Sequence, residues 1–186
     1  MAWAPSYVDL TDFKAYLKIQ DSADDEQLTL AIAAASRAVD TYCRRQFGRT
    51  DTPETRTFTS YHDRAQCLWA AETDDYFGQV LVTVCGTAVT GTPEPINAPN
   101  YGRPYTRVAV LSPGSVAVSG NFGWTAVPDA VVQATMIQAA RINKRRDSPF
   151  GVAGSPQDGS ELRLLAKLDP DVQVLLAGYK RPGLVM

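Results

Sequence analysis

The stretch from about residue 24 to residue 45 constrains the fold most. Leu28, Ile32, Ala35, Val39 and Tyr42 recur at spacings of four, three, four and three, one continuous apolar stripe on a helix. Asp24, Asp25 and Glu26 stand where the helix dipole is positive, and Arg44 and Arg45 where it is negative. Ser22 with Asp25 three residues on has the spacing of a capping box. Ala31, Ala34 and Ala38 lie beside the stripe, and small side chains there let another helix approach closely.

Two more segments carry helical spacing. Residues 11–19 have Thr11 as a cap, Asp12 in the first turn and Phe13, Tyr16 and Leu17 on one face. Residues 128–146 open with Pro128, whose fixed φ suits the first helical position. Ala130, Ala134, Ile137 and Arg141 share one face there, and Val132, Met136, Ala139 and Asn143 another, so the apolar arc is wide and this helix is expected to be central.

Between the helices the pattern changes. Residues 55–59 and 79–90 are rich in β-branched side chains and are expected as strands, with 66–71 as a further one. Residues 107–111 and 116–120 flank Ser112-Pro113-Gly114-Ser115 and are expected to pair as a hairpin. Residues 91–106 carry Pro93, Pro95, Pro99 and Pro104 and are expected as an extended surface loop. Beyond residue 147, Pro149, Gly151, Gly154, Pro156 and Gly159 mark a linker. Ser160 is placed to cap a helical stretch from Glu161; Pro170 must interrupt it, and Asp169 can cap a second piece reaching Tyr179. The expected class is α+β: packed helices with an inserted antiparallel β region and a C-terminal helical arm. Its layout is a core over 1–147, with helices 11–19, 24–45 and 128–146 and a β insertion over 52–125, then a linker and arm over 148–186.

Composition narrows the function. The 186 residues are 45% hydrophobic and 20% charged, with net charge −2, so the chain lacks the basic surplus of a protein that grips DNA phosphates. Cys43, Cys67 and Cys85 are odd in number and match no zinc spacing; they are expected to be reduced, in a cytoplasmic setting. Met1–Pro5 lack the layout of a signal peptide, and no apolar run reaches the ~18 residues of a membrane span, so no membrane partner is expected.

Candidate chemistry is sparse. His62, the one histidine, lies in Tyr61-His62-Asp63-Arg64, expected to be a polar turn, with Cys67 five residues away as the possible nucleophile of a hydrolase. Asp24-Asp25 and Asp169/Asp171 are explained as helix N-termini, and Asp74-Asp75 as part of a turn. Gly120-Asn121-Phe122-Gly123 lacks both the GxGxxG spacing and a Walker lysine. No catalytic residue, cofactor site or metal site is assigned, and no enzymatic activity is expected.

Two surfaces stand out instead. Arg141, Lys144, Arg145 and Arg146 form a basic helix end that offsets the dipole, contacts an acidic neighbouring subunit, or touches DNA; the last makes a nucleic-acid-binding module the alternative function. Leu162, Leu165, Leu168, Val172, Leu175, Leu176 and Tyr179 are too many large apolar residues for a solvated tail, so the arm either folds back on its own core or packs on another subunit.

Tyr7-Val8-Asp9-Leu10-Thr11-Asp12-Phe13 leading into a long helix that ends Tyr42-Cys43-Arg44-Arg45-Gln46-Phe47 resembles the start of head–tail connector (adaptor, head-completion) proteins of long-tailed bacteriophages. Val118-Ser119-Gly120-Asn121-Phe122-Gly123-Trp124, the alanine-rich helix after Pro128, and Lys144–Gly151 resemble the same family. The resemblance covers roughly 7–47 and 116–181, while 50–106 look like an enlarged β insertion. It implies a structural virion protein, made in the host cytoplasm and located in the neck. It implies a ring, with twelve subunits expected, between the portal protein and a head–tail stopper or tail protein. Genomic DNA would pass through its lumen without tight binding. Ser160–Arg181 then becomes the portal-facing candidate.

Overall fold

The computed structural model describes residues 3–146, 152–153, 162–163 and 168–181. The chain divides into two compact units: Pro5–Arg44 with Val127–Met186, which is mainly helical, and Met1–Ala4 with Arg45–Ala126, which is β. The fold is α+β, as expected.

The helical unit contains α1 (Leu10–Leu17), α2 (Asp25–Cys43), α3 (Asp129–Arg146) and α4 (Pro170–Leu176). The α2 stripe is buried as its spacing requires: Leu28, Ile32, Ala35 and Val39 are at most 2% exposed. Leu28, Ile32 and Ala35 join Val8, Phe13 and Ala139 in one apolar cluster, edged by Val132 and Met136 of α3. Of the flanking alanines, Ala31 is buried and Ala34 is exposed. The side-chain caps expected at the starts of α1 and α2 are not formed. Both helices end on residues in the left-handed region, Lys18 and Arg44. Asp169 does cap α4, accepting from the Asp171 N–H at 3.0 Å. The helix expected from Glu161 is overturned at Leu162–Arg163, which form β10 and pair antiparallel with β9 (Val152–Ala153).

The β unit has two four-stranded antiparallel sheets. One runs β1 (Glu54–Thr59), β8 (Ser115–Gly120), β4 (Leu81–Val84), β5 (Thr87–Val89); the other runs β2 (Tyr61–Asp63), β3 (Leu68–Tyr76), β7 (Tyr105–Val110), β6 (Thr92–Glu94). Val82, Val84, Val116 and Val118 from the first and Ala71, Tyr76, Val108 and Val110 from the second form one core with Phe122.

Several expectations are corrected here. Residues 79–90 are a hairpin, not one strand, because Cys85 and Gly86 both take positive φ (48° and 83°) and reverse the chain. Residues 107–111 and 116–120 do not pair: β7 lies between β3 and β6, and β8 between β1 and β4. The link crosses between sheets, so the valines of β7 and β8 meet in the core from opposite sides. Residues 91–106 contain β6 and a 3₁₀ turn at Ala98–Tyr101, pinned by buried Ala98 and Pro104. Asp74-Asp75 and His62 lie in strands, not turns. Gly123 is required by space: at φ 107° a Cβ would stand 2.0 Å from the Gly48 carbonyl oxygen.

Candidate functional site

His62 sits on edge strand β2, its ring edge-on to Trp69 at 5.3 Å, opposite which it pairs in the ladder. Cys67 is exposed in the β2–β3 turn, its Sγ directed to the Arg64 carbonyl at 3.7 Å. Most of the carboxylates the sequence offered for metal binding face cations. Asp25 takes Lys14 at 2.6 Å, Asp24 takes Arg146 at 3.1 Å, and Asp74 takes Arg56 at 2.7 Å. Among the described residues no three His, Cys, Asp or Glu side chains converge to hold an ion. Among the described residues no helix is long and apolar enough to cross a membrane.

The basic end of α3 is split by its contacts. Arg141 is largely covered and reaches Asp169 Oδ2 at 2.6 Å, so one carboxylate both caps α4 and anchors it to α3. Arg146 reaches Asp24 across an exposed gap. Lys144 and Arg145 are exposed.

The apolar arm is split as well. From Leu168 onward it folds on its own unit: Val172 and Leu176 are fully buried, and Gln173 donates to the Leu168 carbonyl at 2.9 Å. Beyond α4, Lys180 lies over the Tyr42 ring at 4.9 Å, and the Arg181 N–H donates to the Cys43 carbonyl at 2.8 Å, satisfying an end group of α2. Leu168, Leu175 and Tyr179 are half-buried, and Val174 is 76% exposed. Leu162 belongs to β10, and Leu165 lies outside the described residues.

Sequence reasoning missed three polar clusters, because each joins residues far apart in the chain. Arg107 on β7 donates to Glu94 at 2.6 Å, Asp63 at 2.9 Å, Gln66 at 3.1 Å and Tyr61 at 3.2 Å. Burial works against its charge, but the hydrogen bonds it donates to Tyr61, Glu94 and Asp63 outweigh that and hold the guanidinium still more firmly protonated. Arg56 on β1 is stacked between the Trp3 and Phe122 rings, 4.1 and 4.4 Å from their centroids, while pairing with Glu54 and Asp74. Buried Asp75 accepts from the Trp124 indole N–H at 2.8 Å and faces Arg45 at 3.5 Å. The only sequence signal for these was charge within β-patterned segments.

Among the described residues the geometry offers surfaces and internal ties. Residues 7–80 match the model of the phage gp6-like head–tail connector family. The head–tail connector resemblance is borne out. The match to the connector family runs through α1 and α2 and on into β3, further than the resemblance read from 7–47, so the β region is not foreign to the family pattern up to residue 80. No curated protein matches the chain. Among solved structures, a chain described as "Neck of empty GTA particle computed with C6 symmetry" shares the fold: the TM-score is 0.56 at 16% identity, over 100% of this chain and 95% of that one.

Proposed function

We propose that this chain is a non-enzymatic structural subunit of a phage neck, forming a ring between portal and tail through which genomic DNA passes. The observation that carries this reading is the agreement of two independent likenesses: a connector family model over residues 7–80, and a neck protein's fold over the full length. The packing of His62 on Trp69 and the pairing of Asp24, Asp25 and Asp74 with cations support a structural role. The neck that holds the similar chain was computed with C6 symmetry, which a ring of twelve satisfies with two copies per repeat. A net charge of −2 suits a conduit, since strong phosphate contacts would retard DNA passage.

In this reading the portal-facing surface includes the arm. Its available part is Val174 with the half-buried Leu168, Leu175 and Tyr179, because Val172 and Leu176 are used within the subunit. The test is association with the cognate portal ring, followed by imaging. Rings of this chain seated on the portal are expected; no association at saturating concentration would sink the proposal.

A further inference from the structure

The ring proposed above needs a head-to-tail contact between copies, and the β unit carries one candidate surface on each side. In the first sheet the order β1-β8-β4-β5 is antiparallel throughout, with four strands, so its two edge strands run in opposite directions. A second copy placed beside it without inversion brings its β1 antiparallel to the first copy's β5. An odd number of strands would have forced a parallel seam. Cross-strand register is also continuous: Thr57, Ala117, Thr83 and Ala88 lie in one row from edge to edge. Among the described residues no backbone hydrogen bond reaches the outer edge of β1 or β5.

Exposed strand edges are ordinarily guarded by charge, above all lysine. Here residues 57–61 (Thr-Phe-Thr-Ser-Tyr) and 87–92 (Thr-Ala-Val-Thr-Gly-Thr) carry no charge at all. The one cation on β1, Arg56, is drawn away into its stack between Trp3 and Phe122. The chain also bends from sheet to sheet on each side, from β1 into β2 past Ser60 and from β5 into β6 past Gly91. Gly91 is required there, since a Cβ would meet Val108 Cγ1 at 2.6 Å. The second sheet, β2-β3-β7-β6, is likewise antiparallel with four strands, so both sheets present edges of opposite direction on the same two sides.

We infer that neighbouring copies of this chain join through these edges, β1 of one against β5 of the next, so that the sheets run on around the ring. The inference rests on the connector reading and names the surface it uses. Because β5 has only three residues, each seam makes few ladder bonds. Closure of the whole ring, not a stable dimer, is then what holds the copies together.

The test is disulfide trapping on the portal-bound assembly. Thr57→Cys and Ala88→Cys are introduced together, with Cys67→Ser and Cys85→Ser to remove the exposed thiols. Directly opposed antiparallel positions lie ~4.5–5.5 Å apart at Cα, within disulfide reach. Mild oxidation should give a ladder of covalent oligomers ending at the ring size, whereas a mixture of the two single-position chains should stop at dimers. Rings that form on the portal without any such cross-link would overturn the edge contact while leaving the connector reading intact. Failure of the unaltered chain to associate with the portal would remove both.

Discussion

At the residue scale, the most consequential side chains are polar and buried. Asp75 is 2% exposed and holds the Trp124 indole N–H beside Arg45, itself 8% exposed at its side chain. Removing one partner of such a pair strands the other charge away from water. Asp75→Ala should therefore lower stability by ~3 kcal/mol or more, read as a reduced midpoint in urea with an unchanged slope. Tyr76 gives a pH signature. Burial, aided by the negative charge that Tyr105 and Glu94 place nearby, pushes its phenol well above the ordinary tyrosine range. An unfolded chain loses this proton near pH ~10, whereas the folded one keeps it. Tyr76 thus contributes full stability below that pH, and the contribution falls as pH rises towards the folded value. Tyr76→Phe should flatten the alkaline decline seen in denaturation between about pH 10 and 11. At pH 7 its cost should stay at ~1 kcal/mol or below, since the phenol's bond to the Arg107 carbonyl is long, at 3.4 Å. None of these residues was identifiable from spacing, because Asp75 and Trp124 are 49 positions apart and are joined only by folding.

At the scale of elements, helices were legible and strand pairing was not. The α2 stripe predicted a helix from 24 to 45, and α2 spans Asp25–Cys43, because a 3.6-residue period is a local property of the chain. β7 and β8 were recognised as strands, but their partners depend on which valines must face which core, and that is decided across the whole unit. The arm shows the same division. Asp169 as a cap for α4 followed from Pro170 one residue on. Its second role, receiving Arg141, could not be read from two positions 28 apart. Asp169→Ala should cost ~1 kcal/mol for the lost cap alone. It should also speed amide exchange selectively in Pro170–Tyr179, relative to α2, because Arg141 loses the carboxylate that pins α4.

For the whole molecule, the basic end of α3 separates the two functional readings. With Arg141 and Arg146 engaged by Asp169 and Asp24, Lys144 and Arg145 are exposed, and among the described residues no such ion pair holds either. Binding to duplex DNA should be no tighter than the ~10⁻⁴–10⁻⁶ M of non-specific contacts at physiological salt, measured by anisotropy. Tight, salt-dependent binding abolished by Lys144→Ala with Arg145→Ala would favour the nucleic-acid module instead. The sequence by itself determined the α+β class, the placement of the three long-range helical segments, and the connector resemblance, since period, caps and motif order are written along the chain. Only the tertiary structure decided that the β region is two sheets with open edges of opposite direction. It alone decided that the last helix is held on its own unit. Strand order and ion pairing are contacts between distant residues, chosen by which arrangement buries the valines and pairs the buried charges together.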